Sequence, residues 1–323
     1  MSSLSIMTSS RLAYVEGGAE LGGLREHVLR HVEQAASSVD WSRDRGAIAR
    51  ACAAPEPPGQ HVGHAIRDGE RSAWKLNQRR PLVQQDSFRL AILDVDGTLY
   101  PGALGIELLR ALIASGICDR AQGERVFDVL HRYRIGEIDF ATMSVDAYRL
   151  FAAALKDCAC VDVDRVARET WQRERARLFP FATELVRILE AGGCVPVLIS
   201  GSPQEVVRLL AGELGIVQFC GAIFSQQGGV YTGEIELASA VLGHKRVILS
   251  TLVGQREVRW RDSIAIGDSP TDAALFELVG SPVAFEPDPA LRTLAVDRGW
   301  TVADRTNVLD TVRTLLLGKT PRP

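Results

Sequence analysis

The run Leu90-Ala91-Ile92-Leu93-Asp94-Val95-Asp96-Gly97-Thr98-Leu99-Tyr100 is the most informative stretch of the 323-residue chain. Four consecutive apolar residues closed by Asp and Gly predict a buried strand, which places both carboxylates at its C-terminal edge. In open parallel α/β sheets that edge is where ligands bind. Two carboxylates two residues apart, followed by Gly and Thr, suit a site that holds a divalent cation, attacks phosphorus and handles a proton.

Outward from this strand, helix and strand patterns alternate. Val195-Pro196-Val197-Leu198-Ile199 predicts a second buried strand, closed by Ser200-Gly201-Ser202-Pro203, with Pro203 suited to open a helix through Val206, Val207, Leu209 and Leu210. Ser263 to Asp268 predicts a third strand ending in an acid, followed by a helix from about Thr271 to Val279. Pro282-Val283-Ala284-Phe285 predicts a fourth, and Gln226 to Gly233 a hairpin turn. Such alternation implies an α/β fold built on a doubly wound parallel sheet with right-handed crossovers. Between the first two strands the apolar stripes are helical: Ile106, Leu109, Leu112 and Ile113; Val126, Val129, Leu130 and Tyr133; Tyr148, Phe151 and Leu155; Val163, Val166 and Thr170. They predict a small helical bundle at 103–177, inserted so that it overhangs the active edge, with the core formed by 87–102 and 178–318.

Residues 1–86 carry no motif and read as a partly helical or disordered extension. It contains an amphipathic stretch (Leu24, Val28, Leu29, Val32), a Pro-rich linker at 54–60, histidines His61 and His64, and a short basic cluster of Lys75, Arg79 and Arg80. Three roles are open to it: covering the bundle, mediating a homodimer, or added length upstream of Met7.

Apolar content of 46%, charged content of 24% and a net charge of -3 describe a globular protein with no reason to bind nucleic acid or an anionic membrane. No apolar run reaches membrane-spanning length, and the N-terminus lacks the basic start and apolar core of a secretory signal. Six scattered cysteines are too sparse for a disulfide scaffold, which favours reduced thiols and a cytoplasmic location. Cys158-Ala159-Cys160 lacks the spacing and second pair of a zinc site.

Four elements converge if the strands are neighbours: Asp94 with Asp96; Ser200; Lys245 in Gly243-His244-Lys245-Arg246; and Asp268 with Asp272 in Gly267-Asp268-Ser269-Pro270-Thr271-Asp272. In this order they resemble the signature motifs of the haloacid dehalogenase superfamily, most closely its phosphoserine-phosphatase-like branch. The resemblance runs from residue 88 to about 302. It implies a Mg²⁺-dependent phosphatase acting on a small phosphorylated metabolite through an aspartyl-phosphate. Asp94 is then the nucleophile and Asp96 the general acid and base. Asp94, Asp268 and the Asp96 main-chain carbonyl are the metal ligands. Lys245, Ser200 and Gly201 are the phosphoryl-binding groups, and Asp272 is a support for Lys245 or the metal waters.

The match thins at substrate recognition. The branch places a glutamate nine residues after the nucleophile, where this chain has Ala103, and a cap arginine near Ala147; Phe140 does match a cap phenylalanine. Phosphoserine is therefore not the expected substrate. Arg132, Arg134, Glu137 and Arg149 are either readers of another leaving group or solvated helix faces. Competing functions are a phosphotransferase with a non-water acceptor, a sensor that binds a phosphorylated ligand without turnover, and a metal-free dehalogenase, against which Asp96 counts.

Overall fold

A computed structural model describes residues 87–318. The strands are β1 (Arg89–Leu93), β2 (Cys194–Pro203), β3 (Gln218–Gln227), β4 (Val230–Leu237), β5 (Ile264–Gly267), β6 (Ser281–Phe285) and β7 (Thr301–Ala303). They form one sheet in the order β4-β3-β2-β1-β5-β6-β7, parallel except for the antiparallel β3–β4 pair. β1 is the central strand because both of its faces are apolar. Ala91 and Leu93 enter one core, Leu90 and Ile92 the other.

The strand order reverses at β1: the chain steps outward through β2, β3 and β4, then returns to pair β5 on the opposite side. This switch point opens a crevice at the C-terminal ends of β1, β2 and β5, which carry the acidic and seryl residues singled out in the sequence.

Four helices follow β1: α1 (Leu104–Ala114), α2 (Arg120–Arg134), α3 (Phe140–Leu155) and α4 (Cys160–Glu174). All four lie within the 103–177 span read as the inserted bundle. α2 packs on α3 and α1 on α4, burying the expected stripes apart from Ile106, Leu130 and Tyr133, which are half-buried. Asp119 and Asp139 cap α2 and α3 by accepting from Gln122 N–H (3.1 Å) and Thr142 N–H (2.7 Å). Behind the bundle come α5 (Ala182–Ala191), α6 (Gln204–Leu214), α7 (His244–Val253), α8 (Ala273–Phe276), α9 (Pro289–Arg298) and α10 (Val308–Leu317).

The β3–β4 hairpin closes on Gly228-Gly229, both at positive φ (61° and 84°), as a two-residue type I′ turn demands. It also braces the bundle. Tyr231 N–H donates to Cys158 O (3.0 Å), while Asp157 and Cys160 donate to Tyr231 O and Gly229 O (both 2.9 Å).

One expected element is shorter than its pattern. The helix predicted over Thr271–Val279 is a 3₁₀ turn at Pro270–Asp272 followed by the single turn α8. Gly280 explains the early stop: a Cβ there would lie 2.0 Å from Arg261 O, so the chain must pass flat against that backbone to enter β6. The amphipathic stretch, both histidines and the basic cluster of residues 1–86 lie outside the described residues. The five cysteines among the described residues are free thiols. No helix of the described residues is long and apolar enough to cross a membrane.

Candidate active site

Asp94 leaves the end of β1 with its carboxylate 5% exposed, and Lys245, from the first turn of α7, meets it at 2.6 Å. The same ammonium reaches Asp272 at 2.7 Å and is itself only 2% exposed. Asp272 is fixed from its other oxygen by Ser269 N–H (3.2 Å) and Ser269 Oγ (3.3 Å). Asp268, at the end of β5, completes the group: carboxylate oxygens of Asp94, Asp268 and Asp272 lie within 4.8 Å of one another.

Three buried or partly buried carboxylates against one ammonium leave an excess of negative charge in a low dielectric. Burial pushes Asp94 up to about 7, with the charges of Asp272 and Asp96 adding to the push and Lys245 opposing it. Asp268 is raised well above the ordinary carboxyl for the same reasons, burial first and then Asp94 and Asp272. For Lys245 burial acts downward, but the charges of Asp272 and Asp94 outweigh it and hold the ammonium above its usual value. Hard oxygen donors in surplus charge suit Mg²⁺.

The turn after β1 makes this approach feasible. Val95 O accepts from the N–H groups of Thr98, Leu99 and Tyr100 (3.2, 2.9 and 2.9 Å), which folds the chain back on itself. Gly97 sits at φ 83°, and a Cβ there would lie 2.0 Å from Asp268 Oδ2. Only glycine allows Asp268 that close.

The Asp96 carboxylate turns the other way. Its Oδ1 accepts from Leu104 N–H at the start of α1 (2.7 Å), and its Oδ2 from Ser200 Oγ (2.9 Å) and Ser202 Oγ (2.7 Å). Burial raises this carboxyl, and the three donors pull it part of the way back. Asp96 thus lies outside the three-carboxylate group, so any part it takes in metal binding falls to its main-chain carbonyl. Asp272, read as a support, stands inside that group while also holding Lys245.

Ser200 is fully buried, with its hydroxyl donating to Asp96 and accepting from Ser202 N–H (3.0 Å). Of these two serines it is Ser202 that lines the cavity, and its hydroxyl also accepts from Gly105 N–H (2.7 Å). Ser202 was not singled out in the sequence; its place in Ser-Gly-Ser-Pro after an apolar strand was the available signal. Gly201 lines the cavity as expected, and a Cβ on it would strike Ala240 Cβ at 2.7 Å.

Between the sheet edge and the bundle lies a cavity of about 260 Å³. Its floor carries Asp94, Asp96, Lys245 and Asp268; its roof comes from α1, α2 and α3. Ala103 and Ala147, the two positions where the resemblance lacks charged grips, both face it, as does Phe140. Arg132, Arg134, Glu137 and Arg149 do not line it; Arg132 pairs with Glu137 (2.7 Å), and Arg134 and Arg149 are exposed. Tyr148 ties roof to floor by donating to Gly201 O (2.8 Å) and accepting from Ala240 N–H (2.9 Å).

Comparison with known proteins agrees with this geometry. The chain is 24% identical over 259 residues to phosphoserine phosphatase SerB1 of Mycobacterium tuberculosis, covering 77% of this chain and 81% of that protein. It is 29% identical over 209 residues to a phosphoserine phosphatase of Vibrio cholerae serotype O1, covering 64% and 57% respectively. Among solved structures, a Bordetella pertussis Tohama I protein of unknown function superposes with a TM-score of 0.56 at 28% identity, covering 68% of this chain and 99% of that one. The family model for haloacid dehalogenase-like hydrolases matches residues 91–277, more than half of the sequence and the whole span from Asp94 to Asp272, and the chain belongs to that family.

Proposed function

We propose that this chain is a Mg²⁺-dependent phosphatase that hydrolyses a small phosphorylated metabolite through an aspartyl-phosphate on Asp94. The observation that carries this reading is the buried Asp94–Lys245–Asp272 chain beside Asp268, opening into the same covered cavity as Asp96. Relatives named phosphoserine phosphatase support the reaction class.

Asp94 and Asp268 would hold Mg²⁺, with Asp272 beside them and the Asp96 carbonyl contributing by resemblance. When bound, the cation supplies charge neutralisation for a dianionic phosphoryl group. Lys245, kept cationic by its two aspartates, adds a fixed positive charge to the same end and orients the Asp94 carboxylate. An Asp94 oxygen attacks phosphorus, forming a P–O bond as the bond to the leaving oxygen breaks. Asp96, whose carboxyl is raised by burial, donates its proton to that leaving oxygen. In the second half it takes a proton from the water that attacks phosphorus, and the bond to Asp94 breaks. Ser200 and Ser202, which both donate to Asp96, position it for the two transfers, a role distinct from the phosphoryl contact the resemblance implies for Ser200. The roof covers one side of the reacting centre and limits its contact with bulk water.

The test is phosphate release from a panel of phosphorylated metabolites, with Mg²⁺ or with EDTA, using native protein and Asp94→Asn. Metal-dependent release that disappears in the variant is the expected outcome. Release that survives in Asp94→Asn, or that ignores EDTA, would refute the mechanism.

A further inference from the structure

The cavity is sharply divided in character. Every charged side chain that lines it, namely Asp94, Asp96, Lys245 and Asp268, belongs to the floor. The roof is built from Ile106, Val126, Leu130, Phe140, Met143 and Phe151. Its two polar side chains are already engaged. Ser144 Oγ donates to Ala141 O (3.0 Å), and the Tyr148 hydroxyl spends its proton on Gly201 O while accepting from Ala240 N–H.

We infer that the leaving group is a small, uncharged and largely apolar alcohol or phenol. The inference rests on the phosphatase reading, because it takes the floor as the phosphoryl site. With the phosphoryl group held there, the part of the ester next to the phosphoryl group lies under the roof. An ammonium or carboxylate placed under it would lose its water and find no counter-charge on the roof itself, where Ser144 and Tyr148 have already spent their hydroxyl protons; for the ammonium alone the carboxylates of the floor offset part of that loss. The carboxylate would meet a further penalty from the surplus negative charge below it. An isobutyl or phenyl group instead exchanges water for contact with aliphatic and aromatic walls. The volume of about 260 Å³, phosphoryl end included, falls below the roughly 300–1,000 Å³ of sites for drug-sized ligands, so the part of the leaving group that the roof covers is short.

Isobutyl phosphate and O-phosphoserine make the deciding pair. They share the P–O–CH₂–CH frame, and the first carries methyl groups where the second carries an ammonium and a carboxylate. We expect kcat/KM for isobutyl phosphate to exceed that for phosphoserine by about 100-fold, within the range that hydrophobic pockets achieve. Phenyl phosphate should fall on the same side. A ratio of one or less, or no turnover of either ester, overturns the substrate class.

The phosphatase reading has its own readout, which no leaving group enters: the Mg²⁺-dependent beryllofluoride adduct of Asp94, followed by ¹⁹F NMR. An adduct with the wrong ester preference sinks the inference alone; absence of both adduct and turnover sinks the phosphatase reading as well. Met143→Gln adds a second check on the wall. Replacing the thioether with an amide of similar length should raise KM for isobutyl phosphate about tenfold, with kcat little changed. An unchanged KM would take Met143 out of the leaving-group site and refute the roof assignment.

Discussion

Asp94→Asn should kill the enzyme and stabilise the metal-free protein. Asp94 is raised from its ordinary 3.8 to about 7 in the folded chain, chiefly by burial. A carboxyl whose folded value lies above its unfolded value contributes stability below the unfolded value and loses it as pH rises through the folded one. The window therefore runs from about pH 4 to about pH 7. Integrated over it, the raised carboxyl costs the fold about 2 kcal/mol at pH 5.5, where folding must protonate it, and about 4 kcal/mol at pH 8, where it is ionised in both states. The neutral amide escapes that cost, and Lys245 keeps its 2.7 Å contact with Asp272.

For a folded unit of this size, 1 kcal/mol moves Tm by about 2–4 °C, so the EDTA-treated variant should melt about 8–16 °C above native protein at pH 8. The gap should close towards pH 4. Saturating Mg²⁺ should narrow it at pH 8, since native protein gains about 2.7 kcal/mol at a hundredfold excess over Kd and the variant has lost a ligand. Calorimetry or urea titration across pH 4–8, with and without Mg²⁺, reads all three. A variant less stable than native protein at every pH, or a gap indifferent to pH and metal, would refute the electrostatic account of the site.

Three further outcomes follow from single contacts. Gly97→Ala puts a Cβ 2.0 Å from Asp268 Oδ2 at a φ of 83° and should lower turnover by about 100-fold or more while weakening Mg²⁺ binding, measurable by isothermal titration. Ser202→Ala leaves Gly105 N–H without its acceptor and should cost about 1–2 kcal/mol in urea unfolding. It also removes a donor from the Asp96 carboxylate, so Asp96 should rise further and the alkaline limb of the kcat/KM profile should move to higher pH; a fixed limb would separate Asp96 from the leaving-group proton. Tyr148→Phe deletes both of that residue's hydrogen bonds to the sheet edge and should lower stability by about 1–3 kcal/mol, with a loss of kcat/KM that exceeds the loss of bound Mg²⁺.

What the sequence made legible and what it hid divide along a physical line. Asp94, Lys245, Asp268 and Asp272 were readable because each sits at a strand end or helix start that local patterning predicts. Their meeting then follows from one sheet order. The role of Ser202 was hidden, because it depends on the end of β2 meeting the start of α1, 97 residues apart in the chain. Ser200 followed the strand-end rule and yet turned from the cavity to Asp96, since a side chain's direction at the irregular end of β2 is set by tertiary contact. The helical stripes of the bundle predicted helices correctly but not which face looks down. Tyr148, read as one residue of an apolar stripe, proved to be the link to Gly201. The shortened α8 has the same origin: propensity and pattern extend a helix that Gly280, packed on Arg261, will not allow.

The divided cavity also bears on how such a protein can vary. The floor is electrostatically costly: Asp94 and Asp268 sit above their ordinary values, and their geometry depends on close approaches such as Gly97 to Asp268 that tolerate no added atom. The roof is assembled from apolar side chains on helices inserted between β1 and β2, held to the floor through Asp96 with Leu104 N–H, Ser202 with Gly105 N–H, and Tyr148 with Gly201 and Ala240. Two of these links use backbone N–H groups at the start of α1, and Tyr148 meets a backbone carbonyl and a backbone N–H. The links at the start of α1 survive substitution of the roof's lining side chains, and those of Tyr148 survive any substitution but its own. Changing Leu130, Met143 or Ala147 would therefore alter which leaving group fits while the carboxylates, lysine and seryl network remain in place. On the proposed function, the chemistry is fixed by the ends of the parallel strands, and the choice of substrate by an insertion that touches them at few, mostly main-chain, points.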